Sequence, residues 1–250
     1  MTRTTRALAG WCLLAIFAGG ASGLRAAESA ATATAPAAAP TTEPVFSEAE
    51  NRMWMTNQLQ SLTRPVNLTY AFRHSGTFEA GFEDRVILKV TRVNADGSKA
   101  LDLDFFSGER HWPSSPVDNA TVNLVMSRFF EGDIREMNRL TDPDGRAGER
   151  WRYFQRRIKL ALAERAVVKP TEFQFNGRGW RGHEISFTPY ADDPHRDQFQ
   201  RFAEKRYSVV VCDELPGYLF RIETLVPGEK GASEPLIREV LQLVDSTPPG

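Results

Sequence analysis

The stretch VNLTYAFR, residues 66–73, decides the fold class, because apolar and polar side chains alternate along it. This two-residue period is typical of a β-strand with one face in the core and the other in water. The same period recurs in VILKV, residues 86–90, and in LDLDF, residues 101–105. One-sided strands favour an antiparallel sheet, since parallel sheets are usually covered on both faces. With a short turn at NADG, residues 94–97, the pattern predicts a three-stranded meander.

A helix is predicted ahead of this meander. Ser47 and Glu50 have the spacing of a capping box, in which each side chain binds a free amide of the first helical turn. The helix is expected to run to about Thr63, because Pro65 prevents its continuation. Its apolar stripe consists of Met55, Leu59 and Leu62.

The middle of the chain has the helical period. Apolar residues recur at helical spacing from about Asn119, and Gly132 is expected to end or bend that helix. Asp133 can cap a second segment, which continues through Leu140. A third helix follows the polar loop at 141–148. The apolar face of this third helix consists of Trp151, Phe154, Ile158 and Leu162.

Strands resume after the helices. The two-residue period returns at 173–175, 183–187, 207–211 and 218–222, and in a last strand at about 236–244. Strands and helices are thus segregated along the chain, which predicts an α+β fold. About eight one-sided strands form a curved, mostly antiparallel sheet, because strand twist curls a large sheet. The N-terminal helix and the helical insertion are expected to cover its concave face.

The first residues have the layout of a secretory signal peptide. Arg3 and Arg6 precede the apolar run at 8–18, and small residues follow up to Gly23. The run is shorter than the roughly 20 residues of a membrane-spanning helix. This length favours cleavage, with a signal peptide at 1–23 and export to a periplasm, over an uncleaved anchor.

Amino-acid composition distinguishes three segments after the predicted signal peptide: a linker, a domain and a tail. Residues 24–45 are rich in Ala, Thr and Pro with nothing large to bury, so they are predicted to be a disordered linker. Residues 46–245 are expected to form a single domain with one core, followed by a tail at 246–250.

Charge and cysteine content limit the possible partners. The sequence has 31 Lys and Arg and 32 Asp and Glu, and loss of Arg3 and Arg6 with the signal takes the net charge from −1 to −3. This mixed surface argues against nucleic acid as a partner, because phosphates need a basic patch. Cys12 lies within the signal, so Cys212 has no partner for an intramolecular disulfide.

The order of elements resembles that of the periplasmic lipoprotein-carrier superfamily, the LolA/LolB-like proteins. The likeness lies in residues 47–112, a helix followed by a meander that carries YAF at 70–72, VILKV at 86–90 and LDLDF at 101–105. The resemblance implies an export signal, a deeply curved antiparallel sheet and helices that lid its hollow. The helical insertion at 119–166 is longer than the usual lid of that superfamily, and no single functional residue is carried over from it.

Residues with reactive side chains do not form a catalytic motif. The four histidines lie far apart at His74, His111, His183 and His195. Without HxH or HxxxH spacing, neither a metal site nor a cofactor is predicted. Cys212 follows three valines and is expected to be a buried, inert thiol, unless the fold brings a histidine to it. The segment DDPHRD at 192–197 lacks the ligand spacing of an EF-hand, so it is expected to be a solvated loop rather than a Ca²⁺ site.

The third helix has a basic sector beside its apolar face, formed by Arg152, Arg156 and Lys159. These residues could contact anionic lipid headgroups or an acidic partner, although an ordinary surface helix also presents a solvated charged face. Tyr153 and Leu160 add a second apolar ridge, which is typical of a helix between two layers.

Together these patterns favour an exported, non-enzymatic binding or carrier protein. Its apolar hollow would take a lipid, an acyl chain or a segment of an envelope protein, and the basic sector allows a peripheral membrane contact. The alternatives are an accessory envelope protein that docks onto another protein and a hydrolase that uses Cys212 or a histidine. The residues expected to line the hollow are Tyr70, Phe72, Leu88, Phe105, Trp151, Phe154, Ile158, Phe187, Tyr218 and Phe220.

Overall fold

The structure, a computed structural model, describes residues 45–142, 144–145 and 150–249. The predicted signal peptide at 1–23 and nearly all of the predicted linker lie outside these residues. Within the described ranges, nine strands form one sheet, accompanied by four α-helices. No helix in the described part of the chain is long and apolar enough to cross a membrane.

Every strand of the sheet is antiparallel to its neighbours. The strands are β1 (Val66–Ser75), β2 (Phe82–Val93), β3 (Lys99–Phe105), β4 (Val117–Ala120), β5 (Val167–Phe175), β6 (Arg178–Phe187), β7 (Arg206–Val211), β8 (Leu219–Val226) and β9 (Ile237–Thr247). Their order is β4-β3-β2-β1-β9-β8-β7-β6-β5, which makes the first and last strands neighbours at the centre. The α+β class and the curved antiparallel sheet are confirmed, with nine strands instead of about eight. The additional strand is β4, whose first three residues are all exposed and show no alternation.

The helices are α1 (Glu48–Glu50), α2 (Leu124–Leu140), α3 (Trp151–Glu164) and α4 (Arg196–Phe199). A π-helical turn, Asn51–Met55, extends α1, and 3₁₀ turns occur at Gly108–Arg110 and Gln200–Glu204. The meander β1-β2-β3 and the third helix lie close to where the sequence predicts them.

The first helix begins as predicted but ends early. The Ser47 and Glu50 side chains form the capping box, yet the π-helical turn stops before Thr56 instead of continuing to about Thr63. The buried side chain of Gln58 accounts for this end, because its Nε2 donates to the Met53 carbonyl at 2.8 Å. The predicted stripe divides accordingly: Leu59 and Leu62 are buried in the turns that follow, whereas Met55 is exposed.

The second helix, α2, passes through Gly132 without interruption, so the prediction that it ends or bends there is wrong. Gly132 instead allows a close approach, since a methyl group added there would lie 3.3 Å from Cζ3 of Trp112. Asp133 does not cap a new segment. It is buried on the face of α2 that meets the sheet, where it contacts Lys205 and Tyr207.

The two long helices have different positions relative to the sheet. On α2, Phe130 stacks on Tyr207 of β7 at 6.2 Å, so this helix lies on the concave face. On α3, the ring of Phe154 lies 5.6 Å from Tyr190 and 5.4 Å from Phe199, which belong to the connection between β6 and β7. The helical insertion therefore covers the sheet through α2, and α3 packs against α2 and this connection.

Candidate functional site

An open cleft of about 730 Å³ lies between α2 and the strands β1, β2, β3 and β9; we call it the sheet-side cleft. Six aromatic rings line it, those of Phe72, Phe82, Phe105, Phe106, Trp112 and Phe129. Its charged and polar lining consists of His74, Glu79, Arg110, His111, Asp133, Arg135, Glu136, Arg139 and Glu239. The cleft is thus apolar over most of its wall, with ionisable groups at its floor and its mouth.

The aromatic wall of the sheet-side cleft is held by ring contacts between the strands. The ring of Phe72 lies 5.4 Å from Phe82 and 4.8 Å from Phe106, between ring centroids. Phe106 directly follows β3 and has a left-handed backbone, with φ of 64°, which is uncommon for a residue with a side chain. Phe105 meets Trp112 edge-on at 6.1 Å. These offset and edge contacts are the arrangements that aromatic rings prefer.

The floor of the sheet-side cleft is a buried cluster of four ionisable residues: His74 of β1, Asp133 of α2, Lys205 before β7 and Glu239 of β9. His74 and Glu239 are direct cross-strand partners, and their Nδ1 and Oε1 atoms are 3.3 Å apart. Nζ of Lys205 pairs with Asp133 and lies 3.7 Å from Oε2 of Glu239. We call these four residues the charge cluster.

Hydroxyl groups complete the hydrogen bonding of the charge cluster. Tyr207 donates its hydroxyl to Oδ2 of Asp133 at 2.7 Å, and Thr224 donates to Oε2 of Glu239 at 2.8 Å. Each carboxylate therefore has both a cation and a hydroxyl donor as partners. This pairing is what a charge needs when it is removed from water.

The surroundings of the charge cluster shift the pKa values of its members. The hydrogen bond to Glu239 raises the pKa of His74, although burial acts in the opposite direction. Burial would raise the pKa of Glu239, but Lys205 and the bonds from His74 and Thr224 outweigh it and hold the pKa at about 2. Burial raises the pKa of Asp133, against the effect of Lys205. Burial disfavours the ammonium of Lys205, yet the two carboxylates raise its pKa overall.

A second open cleft, of about 870 Å³, lies between α2, α3 and the π-helical turn; we call it the helix-side cleft. Its apolar lining consists of Trp54, Phe130, Ile134, Trp151 and Ile158. Glu131, Arg135 and Lys159 are the charged residues of the same lining. Trp151 is 41% exposed, so its ring forms part of the outer surface rather than of the core.

The ten residues predicted to line one hollow fall into three groups. Phe72 and Phe105 line the sheet-side cleft, whereas Trp151 and Ile158 line the helix-side cleft. The other six are packed side chains, none more than 5% exposed: Tyr70, Leu88, Phe154, Phe187, Tyr218 and Phe220.

Packing contacts account for four of the six buried residues. The Tyr70 hydroxyl accepts a bond from Nδ2 of Asn123 at 3.0 Å, and Tyr218 donates to the Arg52 carbonyl at 3.0 Å. Two further pairs are stacked rings. They are Phe187 with Tyr207, at 4.9 Å, and Phe220 with Phe173, at 4.0 Å. The centre of the concave face is therefore filled, and the open space lies on either side of α2.

The charge cluster is absent from the residues predicted for the site, yet the sequence contains a signal for it. His74 continues the apolar register of Val66 to Phe72 in β1, and Glu239 stands between Ile237 and Leu241 in β9. Lys205 likewise shares the register of Tyr207 in β7. A polar residue where the period demands an apolar one is a candidate buried group.

Cys212 and His183 line the same small cavity of about 310 Å³, but within the described part of the chain no hydrogen bond joins their side chains. Cys212 is free and buried, one residue beyond the end of β7. A methyl group added at Gly182 would lie 3.1 Å from Cβ of Cys212, so these two positions share a face of the sheet. The neighbouring His183 pairs with Val211 and accepts a bond from Arg52 at 3.1 Å. Among the described residues, no group of three His, Cys, Asp or Glu is placed to hold a metal ion.

The segment at 192–197 is only partly the solvated loop that its composition suggests. The Asp193 side chain is buried, and its Oδ2 lies 2.7 Å from Nε of Arg157. Tyr153 donates its hydroxyl to Oδ1 of Asp193 at 2.6 Å. This carboxylate therefore anchors α3 to the β6–β7 connection, and for Asp193 the expectation of a solvated residue is wrong.

The fold and the clefts define an α+β protein in which a curved antiparallel sheet carries a helical layer with open space beneath it. Neither a protein-family model nor a curated protein matches the chain. Among solved structures, the chain is similar to the Mycobacterium tuberculosis lipoprotein LppX, with 10% identity over 82% of this chain and 98% of that chain and a TM-score of 0.34.

The chain is also similar to two further solved structures. One is the Pseudomonas aeruginosa MucA/MucB complex, with 14% identity over 82% of this chain and 59% of that chain and a TM-score of 0.33. The other is a LolA superfamily protein from Nitrosomonas europaea, with 9% identity over 83% of this chain and 95% of that chain and a TM-score of 0.20. The proposed function rests on the contacts of this chain and not on these similarities.

Proposed function

We propose that the protein is an exported, non-enzymatic binding or carrier protein that holds a lipid or acyl chain in the sheet-side cleft. The observation that carries this proposal is the open space of about 730 Å³ between the concave face and α2, walled by six aromatic rings. Ligand pockets are typically concave, mostly apolar and roughly 300–1,000 Å³ in volume. A cleft of this kind suits a ligand that buries a long apolar chain.

The charged groups around the cleft are consistent with a binding role rather than a catalytic one. The carboxylates of Asp133 and Glu239 are occupied by partners within the charge cluster. At the mouth, Arg139 pairs with both Glu79 and Glu136. Acid–base catalysis needs a group free to exchange a proton with a substrate, and these groups are engaged with one another.

The exposed face of α3 supports a peripheral contact with an anionic membrane as part of this function. Arg152, Arg156 and Lys159 lie in one exposed sector, and within the described residues none of them has a carboxylate partner within 4 Å. The exposed ring of Trp151 borders this sector. Cations beside an exposed tryptophan suit the boundary between headgroups and acyl chains. Through such a contact a carrier would collect and deliver its ligand.

Quenching of tryptophan fluorescence by a brominated fatty acid tests the location of the ligand. Trp112 lines the sheet-side cleft and Trp151 the helix-side cleft, so Trp112→Phe and Trp151→Phe form a matched pair. With the mature protein we expect saturable quenching that is largely lost in Trp112→Phe and retained in Trp151→Phe. The reverse pattern would move the ligand to the helix-side cleft.

Native mass spectrometry of protein purified from its own cell envelope separates the remaining alternatives. Co-purified lipid supports the carrier. An accessory envelope protein would instead carry no lipid, show no saturable quenching and retain a bound protein partner, and that combination contradicts the proposal.

A further inference from the structure

The charge cluster connects α2 to three parts of the sheet through a single residue of the helix. Asp133 is the member on α2, whereas His74, Lys205 and Glu239 belong to β1, the approach to β7 and β9. Lys205 lies between the two carboxylates, paired with Asp133 and 3.7 Å from Glu239. His74, Asp133 and Glu239 also line the sheet-side cleft. A change within the cluster therefore acts where α2 closes over the cleft.

The charge balance of the cluster depends on His74. With His74 protonated, two cations oppose two carboxylates. Loss of that proton leaves two carboxylates and Lys205, which is one uncompensated negative charge in a buried site. Buried charge without a partner is strongly unfavourable, because the interior screens and solvates it poorly. Separation of α2 from the sheet would hydrate Asp133 and relieve that excess.

Other charged groups near His74 act in the same direction. Its ring stacks on Phe82 of β2 at 5.4 Å, while Glu239 of β9 faces its Nδ1. Glu136 of α2 and Glu79 of the β1–β2 connection also favour its protonated form. The nearby cation of α2, Arg139, is paired with both of these glutamates. Two further cations, Arg110 over the ring of Phe82 and Arg135 of α2, line the same cleft. The charged groups that shift the pKa of His74 are nevertheless the three glutamates.

We propose that the charge cluster is a proton-controlled latch, which holds α2 on the sheet when His74 is protonated and releases it to open the sheet-side cleft when His74 is neutral. The latch rests on the proposed function, because it regulates access to the cleft assigned there. Apolar ligand would enter and leave more readily at higher pH and would be retained at lower pH.

The direction of the pH effect follows from the bond between His74 and Glu239. That bond raises the pKa of His74 in the closed form above its ordinary value of about 6.5. Protonation therefore favours the closed form fully below about pH 6.5, and this preference is lost as the pH rises through the closed-form pKa. Each unit by which the pKa differs between the closed and open forms corresponds to a tenfold change in affinity.

Binding of a neutral apolar dye, N-phenyl-1-naphthylamine, between pH 5 and pH 9 tests the latch with a probe whose charge is constant. We expect its affinity for the mature protein to rise with pH through a single transition. In His74→Gln, which has no titrating ring, the affinity should be constant and high. His195→Gln is the matched control, because His195 is exposed, lines neither cleft and lies near the ring of Tyr153 instead of the cluster. Its transition should be unchanged.

Two measurements on the wild-type protein keep the proposal testable if His74→Gln does not fold. The pKa of His74 from histidine NMR must coincide with the midpoint of dye binding. Hydrogen exchange of α2, corrected for intrinsic rates, must show protection falling with pH over the same range. A mismatch of midpoints, or constant protection of α2, overturns the latch.

The outcomes separate the latch from the proposed function. Dye that binds equally at every pH leaves the carrier intact and overturns the latch. If no apolar probe binds at any pH, the proposed carrier function is contradicted. Hydrogen exchange of α2 then tests the latch, and constant protection of α2 overturns it. If the transition is lost in His195→Gln, or persists in His74→Gln, the titrating group is not His74 and the proposal is overturned.

Discussion

Asn123 donates its side-chain Nδ2 to the hydroxyl oxygen of Tyr70, 3.0 Å away, and this bond fastens the beginning of α2 to β1. The same amide donates to the Gly217 carbonyl at 2.7 Å, while its oxygen caps α2 by accepting from the Val125 amide at 3.0 Å. One fully buried side chain thus ties the helix to the sheet and to the β7–β8 turn. Asn123 therefore holds the N-terminal end of α2, and the charge cluster contacts the helix further along its length.

Asn123→Ala should lower the free energy of unfolding by about 2–4 kcal/mol. Loss of a helix cap costs about 0.5–2 kcal/mol, and each buried partner left without a hydrogen bond costs about 1–3 kcal/mol. Urea denaturation measures the change. Asn119→Ala, an exposed asparagine close by, should alter stability by about 0.5 kcal/mol or less.

Phe154→Ala should destabilise the protein by about 3–5 kcal/mol, because removal of a fully buried ring leaves a cavity. The ring lies between Tyr190 and Phe199, outside both clefts. Ligand binding by the folded variant should therefore be retained. Trp151→Ala on the same helix should cost less than about 1 kcal/mol, since that side chain is 41% exposed. Equal losses from the two variants would contradict this position of α3.

Lys205→Met should cost about 3–5 kcal/mol, because it leaves Asp133 and Glu239 as adjacent buried carboxylates without their shared cation. Lys159→Met is the control, an exposed lysine on α3 that should change stability by about 0.5 kcal/mol or less. Addition of Asp133→Leu to Lys205→Met should recover part of the loss, as removal of both partners is less harmful than removal of one. Denaturation of the wild type, Lys205→Met, Asp133→Leu and the double variant tests this non-additivity.

The stability of the wild-type protein should be greatest between about pH 4.5 and pH 6.5. The raised pKa of His74 gives a contribution that is fully present below about pH 6.5 and lost as the pH rises through the folded-state pKa. The pKa of Glu239, held at about 2, gives a contribution present above about pH 4.3 and lost as the pH falls towards 2. Urea denaturation at a series of pH values measures both limbs. The basic limb should disappear in His74→Gln and persist in His111→Gln.

Cys212 should be dispensable for binding, since the thiol is buried and free and lines neither the sheet-side nor the helix-side cleft. Cys212→Ala should be milder than Cys212→Ser, because serine adds a hydroxyl that needs a partner in a buried site. Thermal unfolding and dye binding of both variants provide the test. A folded Cys212→Ala protein without binding would revive a role for the thiol.

Much of the fold could be predicted from period alone. The strands that alternate between core and solvent were all recognisable, whereas β4 was not, because its first three residues are exposed and give no period. The prediction that the helix ends or bends at Gly132 was wrong because it considered only the local sequence. The usual effect of a glycine on a helix is outweighed by the approach of Trp112, which no local pattern reveals.

The candidate site was harder to predict from the sequence than the fold. An aromatic residue at a core position looks the same whether it fills the core, like Tyr70, or lines an open cleft, like Phe72. The polar residues His74 and Glu239 break the apolar register of their own strands, but their partnership depends on the register between β1 and β9. That register is a tertiary property and is fixed only when distant parts of the chain meet.

The central position of β1 and β9 has a consequence for how the chain folds. Their paired residues are at least 163 positions apart in the sequence, which is the separation of Ser75 and Arg238. The middle of the sheet cannot close until almost the whole described chain has been synthesised, and such non-local pairing slows folding because loop closure precedes the contacts that stabilise it. A chain whose central strand pair closes last in this way remains without a complete core for longer than one built from local pairings.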